Sequence, residues 1–139
     1  MRTLVEFKSD AFPLYSDDEE GINPNCGGRS IAEYLQRELP KHGINVESIL
    51  NEDFGWIVFT SDPPVNPWIG TYGPEPSHRC VCQISPNEPV VWRWFFKRVK
   101  AVESVERLAS AVEAVLRAHP GVRNIEWESE PADTSRGTR

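Results

Sequence analysis

The sequence lacks any long apolar run. No segment approaches the ~20 consecutive apolar residues that a membrane-spanning helix needs, and residues 1–8 alternate like a strand instead of forming the apolar core of a signal peptide. Cysteine is also scarce, with only Cys26, Cys80 and Cys82. An odd number of cysteines argues against the disulfide framework of a small secreted protein. We therefore expect a soluble, cytoplasmic protein with no membrane partner.

Positive charge is in deficit. The chain has 15 lysine and arginine residues against 21 aspartate and glutamate residues, a formal net charge of −6. That sign disfavours general binding to nucleic acid. A basic and aromatic strip at residues 92–100 contributes only four positive charges, so we expect no nucleic-acid partner. Negative charge can instead speed association with a basic protein.

A metal site is not indicated, although His78, Cys80 and Cys82 form an H-x-C-x-C pattern. In a strand, residues two positions apart lie ~6.6 Å from each other, so the first and last of these side chains are roughly 13 Å apart. Zinc bonds of ~2.0–2.3 Å cannot reach both. We expect both cysteines to point into the core as small apolar side chains, and we expect no metal and no cofactor.

Catalytic patterns are missing as well. Residues 26–30 (CGGRS) match no phosphate-binding loop and are interpreted as a glycine-rich start of a helix. A cysteine at a helix N-terminus can have a lowered pKa, and the sequence does not decide whether Cys26 is reactive. The adjacent carboxylates Glu52 and Asp53 are typical of a turn. The acidic run at residues 17–20 lacks calcium-loop spacing and is predicted to lie in a solvated loop.

Aromatic residues are abundant in the centre of the chain, where four of the five tryptophans fall within residues 54–96. Four runs there are rich in aromatic and β-branched residues, which favour strands. These runs are residues 55–60, 67–72, 79–84 and 90–96. Proline-rich turns separate them at hairpin spacing, so the sequence predicts an antiparallel meander.

Two amphipathic segments predict helices. Residues 28–42 have one apolar face, with Gly43 as the residue that ends the helix and Pro40 distorting its last turn. A second stripe runs from Val105 to Leu116, beginning at Glu103 or Ser104 and stopping at residues 119–121. Further strands are predicted at residues 4–7, 44–50 and 124–128, with turns that include residues 51–53.

The predicted elements follow the order β-α-β-β-β-β-β-α-β. We expect an α+β fold, a two-layer sandwich in which two helices cover one face of a mostly antiparallel sheet of about six strands. Residues 1–128 form one domain, and residues 129–139 are polar, aperiodic and predicted to be a frayed tail.

The segments DFGWIV (53–58), WIG (68–70) and PVVWRWF (89–95), with the 105–116 helix and the ending IEW (125–127), resemble a group of small uncharacterised bacterial proteins. The resemblance covers most of the chain. It implies a bacterial protein and supplies no activity, cofactor or catalytic residue.

The sequence is compatible with two functions. The leading hypothesis is a non-enzymatic domain, antitoxin-like or immunity-like, that binds a protein partner through the sheet face away from the helices and the 9–25 loop. The alternative is a small-molecule-binding protein, or an unrecognised enzyme, with an aromatic pocket between that face and the loop. A flat aromatic patch favours the first and a closed pocket the second. A homodimer is compatible with either.

Candidate binding residues come from the aromatic strands and the basic positions beside them. We expect at least one aromatic near residues 93–96 to lie on the uncovered face or under the 9–25 loop, because alternation sends neighbouring side chains to opposite sides. The candidates are Trp56, Trp68, Tyr72, Trp92, Arg93, Phe95 and Lys97.

Overall fold

The computed structural model describes residues 1–13, 27–52, 55–75, 77–86 and 95–129. Two helices and six strands are found in these ranges, with a short 3₁₀ turn at Leu39–His42. In chain order they are β1 (Arg2–Ser9), α1 (Arg29–Glu38), β2 (Asn45–Glu52), β3 (Gly55–Ser61), β4 (Trp68–Tyr72), β5 (Arg79–Ser85), α2 (Phe95–Arg117) and β6 (Val122–Ser129).

The six strands form one antiparallel sheet with the order β2-β3-β4-β5-β1-β6. Strands β2 to β5 are consecutive in space as in sequence, which confirms the predicted meander for the first three of its aromatic strands. The N-terminal strand β1 lies between β5 and β6. Among the described residues, neither helix is long and apolar enough to cross a membrane.

Both helices pack on the same face of the sheet. Helix α1 contacts β2, β3 and β4, whereas α2 contacts β1, β5 and β6. Between the layers lies one core, built from alternate residues of each strand and from the apolar stripes of the helices. Its fully or almost fully buried members include Val5, Phe7, Leu35, Val58, Ile69, Cys80, Cys82, Ile84, Leu108 and Leu116. The predicted two-layer α+β sandwich is thereby confirmed.

Helix α2 begins earlier than its sequence pattern suggested. It starts at Phe95 instead of Glu103 or Ser104, so the predicted strand at 90–96 is wrong for Phe95 and Phe96. The apolar spacing explains the error: Phe95, Val99 and Val102 are separated by four and three residues, which extends the helical stripe backwards. Residues 90–94 lie outside the described residues.

Two turns show how local chemistry ends an element. As predicted, α1 tightens into the 3₁₀ turn at Pro40, and Gly43 ends it with a φ of +83°. The turn predicted at 51–53 is wrong for Asn51 and Glu52, which still pair with Trp56 and Gly55 in the β2–β3 hairpin.

At the other edge of the sheet, Ser129 is the last residue of β6, and the predicted tail beyond it lies outside the described residues.

A glycine brings the start of α1 against β4. Gly28 precedes the helix with a φ of +97°, and its N–H donates to the Gly73 carbonyl at 2.9 Å. The Thr71 hydroxyl lies 2.9 Å from the Gly28 carbonyl oxygen. A Cβ added at Gly28 would stand only 2.3 Å from the Thr71 carbonyl oxygen, so the close approach requires glycine.

Candidate functional site: the open face of the sheet

The cross-strand register separates the two faces of the sheet. Val58 pairs with Ile69, and Ile69 with Ile84, and all three are buried in the core. Alternation then sends their chain neighbours to the opposite face, which no described helix covers. We call this the open face.

One half of the open face is apolar. Leu50 lies opposite Ile57, which lies opposite Gly70, and Phe59 lies opposite Trp68. The aromatic half of the open face consists of Leu50, Ile57, Phe59, Trp68 and Tyr72. Leu50 is 47% exposed, and it is the one large apolar side chain classed as exposed among the described residues. Phe59, Trp68 and Tyr72 are half-buried.

A shallow groove crosses the aromatic half at Gly70. Trp68 and Tyr72 lie two positions to either side of Gly70 on β4, while Gln83 of β5 lies opposite it. Since glycine has no side chain, a gap opens between the two aromatic rings. The Gly70 groove has a volume of about 180 Å³ and is lined by Trp68, Gly70, Tyr72, Gln83 and Ser85. None of these described lining residues carries a carboxylate, imidazole, thiol or amine.

The other half of the open face is charged, with like charges opposite each other. On β1 and β6, Glu6 lies opposite Glu126 and Lys8 lies opposite Arg123. Arg79 neutralises the negative charge of Glu6, because its Nε donates a hydrogen bond to Glu6 Oε1 at 2.8 Å. This hydrogen bond lowers the pKa of the Glu6 carboxyl below its usual value, against the smaller opposing effect of burial.

The lowered pKa of Glu6 has a testable consequence in acid. A carboxyl whose pKa is lower in the folded state stabilises the fold above its unfolded pKa of about 4.3, and this contribution is lost as the pH falls through the folded pKa. We expect Glu6→Gln to flatten the loss of unfolding free energy between about pH 5 and pH 2. Urea denaturation at several pH values measures it.

Glu128→Gln is the matched control, because Glu128 is an exposed carboxylate on the same face with no ion pair among the described residues. The effect at Glu6 is expected to be small, because half-exposed ion pairs are screened by water. An acid-side slope in Glu6→Gln equal to that of the wild type would contradict the expectation.

The structure brings only two of the predicted site residues together. Trp68 and Tyr72 form the walls of the Gly70 groove. Trp56 points to the opposite face, where its ring lies 5.6 Å from the Arg29 guanidinium and packs against the core. Phe95 and Lys97 are in the first turn of α2, and Trp92 and Arg93 lie outside the described residues.

The aromatic residues described on the open face are Phe59, Trp68 and Tyr72 of β3 and β4, and the last two were predicted site residues. The prediction of a further aromatic near residues 93–96 concerns side chains outside the described ones. Sequence reasoning did not single out Leu50, Phe59 or Gln83 as site residues. Alternation alone could have assigned Phe59 and Trp68 to a shared face, but only the register shows that Gln83 faces Gly70.

The 9–25 loop begins on the helix side. Phe12 is buried and packs edge-on against Phe7, with ring centroids 6.1 Å apart, and against Tyr34 at 5.4 Å. The loop therefore starts towards the core layer and not towards the open face. Residues 14–26, which include Cys26 and the acidic run, lie outside the described residues.

The remaining cysteines are placed as predicted. Cys80 and Cys82 are free and completely buried in the core. Burial raises the pKa of the Cys80 thiol to about 12 and raises that of Cys82 as well, so neither is a reactive thiolate. In the described ranges, no three histidine, cysteine, aspartate or glutamate side chains are grouped so as to hold a metal ion.

A second, polar cavity lies between the end of β3 and α2. It has a volume of about 80 Å³ and borders Asp62, Ser104 and Arg107. The Ser104 hydroxyl donates to Asp62 Oδ2 at 2.7 Å, and the Arg107 guanidinium donates to the same oxygen. Since these groups satisfy one another, the cluster joins the sheet to the helix and leaves no side chain aimed at a ligand.

No protein family, curated protein or solved structure matches this chain, so its function is argued from the open face itself.

Proposed function

We propose that this protein is a non-enzymatic, cytoplasmic binding domain, and that a partner protein docks on the aromatic half of its open face. One observation carries the proposal: Leu50, Phe59, Trp68 and Tyr72 share a face that no described helix covers. Aromatic side chains grouped on a sheet face without a covering helix, as in the described part of this chain, are typical of interaction hot spots.

The size of the Gly70 groove favours a protein over a small molecule. Sites for drug-sized ligands usually enclose ~300–1,000 Å³, and the groove measures about 180 Å³. A cavity of ~150 Å³ holds one benzene ring. The groove therefore suits a single side chain of a partner, while Leu50 and Phe59 extend the apolar contact beyond it.

The chemistry of the groove supports binding without catalysis. Its polar groups are the amide of Gln83, the hydroxyls of Ser85 and Tyr72, and the indole N–H of Trp68. The lining residues that the structure describes include no histidine, carboxylate or amine to serve as a general acid–base pair. On the neighbouring part of β5 and β1, the charges of Arg79 and Glu6 are paired with each other.

The partner is expected to be basic. The net charge of −6 attracts cations over a distance, and the ring of Tyr72 can attract a lysine or arginine side chain by cation–π interaction. An antitoxin-like or immunity-like role fits a small acidic protein with such a surface. Buried, unpaired Cys80 and Cys82 fit a reducing compartment such as the bacterial cytoplasm.

The test begins with affinity capture from a lysate of the native host and continues with the captured protein. We expect Trp68→Ala and Tyr72→Ala each to weaken binding about 30-fold, because a hot-spot aromatic contributes about 2 kcal/mol. Isothermal titration calorimetry measures the dissociation constants.

Trp127→Ala is the matched control. Trp127 pairs with Val5 on the helix-covered face, and its indole N–H donates to Glu113. The Trp127→Ala variant should bind the partner with unchanged affinity, provided that circular dichroism shows a folded protein at the assay temperature. Equal binding by the wild type and both groove variants would refute the proposal.

A further inference from the structure

Strand β2 is an edge of the sheet, and it is weakly protected. It has eight residues (NVESILNE) and, among the described strands, one hydrogen-bonded neighbour, β3. Edge strands in natural proteins are usually guarded by lysine, proline, shortness or bulges. β2 contains neither lysine nor proline. Its one irregularity lies between Val46 and Ser48, so residues 48–52 run as a regular edge whose single charged residue is Glu52.

The opposite edge, β6, is guarded by comparison. Its register shifts near Asn124, which has a φ of +59°. Arg123, Glu126 and Glu128 are exposed along it. Pairing residues 125–129 with a second copy would place glutamate opposite glutamate, which is unfavourable. A second copy is therefore disfavoured at β6, and the register shift with the positive φ of Asn124 makes β6 a less regular edge than residues 48–52 of β2.

The side chains of β2 indicate which side chains an added strand would have. Leu50 and Glu52 are two positions apart and so lie on the open face together. Glu47 adds a second carboxylate, and the strand has no cation. The apolar surface also continues from Leu50, through Ile57, to the Gly70 groove. The edge and the aromatic half of the open face thus form one surface.

We propose that an extended segment of a basic partner adds to β2 as a further antiparallel strand. An apolar side chain of the segment lies against Leu50, and a lysine or arginine two positions away lies opposite Glu52. Backbone hydrogen bonds supply affinity, and this apolar-x-basic pattern supplies specificity. The inference rests on the proposed function, because the same partner would then reach the Gly70 groove.

Charge argues against a second copy of this chain as the occupant. If two β2 strands paired with Leu50 opposite Leu50, Ser48 would face Glu52. Each copy would bring two carboxylates and no counter-charge. A basic segment neutralises the same carboxylates instead.

A capped seven-residue peptide is the direct probe. It has valine at the centre, lysine two positions to either side, and threonine elsewhere. With ¹⁵N-labelled protein and millimolar peptide, we expect the amide resonances of residues 48–52 to shift. The same peptide with glutamate in place of lysine should shift them at least tenfold less. No shift with the lysine peptide, or equal shifts with both, would overturn the proposal.

Leu50→Lys tests the edge with the captured partner. It places a positive charge where the segment must dock, and its exposure means that the fold should tolerate the change, which a thermal midpoint checks. We expect at least a tenfold loss of affinity. Glu128→Lys, which adds positive charge at the β6 edge, is the control and should bind as the wild type does.

The outcomes separate the two proposals. If Trp68→Ala and Tyr72→Ala weaken binding but Leu50→Lys does not, the strand addition is wrong and the open-face proposal stands. If none of the three weakens binding, the proposed function fails as well. A wild-type dimer in light scattering that Leu50→Lys dissociates would identify a second copy as the occupant and overturn the basic-segment proposal.

Discussion

Replacing Leu108 by alanine should lower the free energy of unfolding by about 2–5 kcal/mol. Leu108 is 2% exposed and lies in the core between α2 and the sheet. Truncation removes buried methyl groups and leaves a cavity that the neighbouring side chains fill only in part. Urea denaturation followed by tryptophan fluorescence measures the change.

Leu50→Ala is the matched control, because it removes the same atoms from a side chain that is 47% exposed. Its effect should stay below about 1 kcal/mol, since less apolar area leaves water on folding. Similar losses in both variants would mean that α2 does not pack against the sheet as described.

The second large effect is expected at Gly28. Gly28→Ala should cost about 3 kcal/mol or more, because two penalties combine. A φ of +97° is strained for alanine, and the new Cβ would meet the Thr71 carbonyl oxygen at 2.3 Å and its carbon at 2.8 Å. Backbone atoms cannot rotate away as a side chain can, so α1 must move off β4.

Gly43→Ala separates the two penalties. Gly43 also has a positive φ, +83°, but nothing lies within 4 Å of its added Cβ. Its cost should be only the conformational strain, about 1–2 kcal/mol. If both variants lose the same stability, the close approach of Gly28 to Thr71 does not constrain the fold.

Local sequence patterns were sufficient to predict the elements of this fold that depend on residues close together in the chain. The three aromatic strands became β3, β4 and β5, and the stripe from Val105 to Leu116 is buried in α2. The two helices share one face, as a two-layer sandwich requires. These successes rest on side-chain periodicity, which a single segment already contains.

The errors arose where two periodicities overlapped. Phe95 and Phe96 follow two tryptophans in the sequence and therefore resemble the end of a strand. The spacing of Phe95 from Val99 and Val102, however, is that of an apolar helical stripe. Aromatic residues fit both structures, so composition could not decide. The helix starts eight residues before Glu103.

The candidate site was only half predictable. Trp68 and Tyr72 were recognised from their residue types, but Trp56 was grouped with them although it faces the other layer. Which strand lies beside which, and in what register, depends on contacts between distant residues. The position of β1 between β5 and β6, and the exposure of the β2 edge, are consequences of that arrangement.

The place of β1 in the sheet has a consequence for the order in which the protein forms. Synthesis runs from the N-terminus, so β1 is made before the other described strands, but its hydrogen-bonding partners β5 and β6 are the last two of them to be made. Strands β2 to β5 can pair as soon as each hairpin is complete, because they are neighbours in the chain. Both backbone edges of β1 stay unpaired until Arg79–Ser85 has been made, and the second edge stays unpaired until Val122–Ser129 has been made.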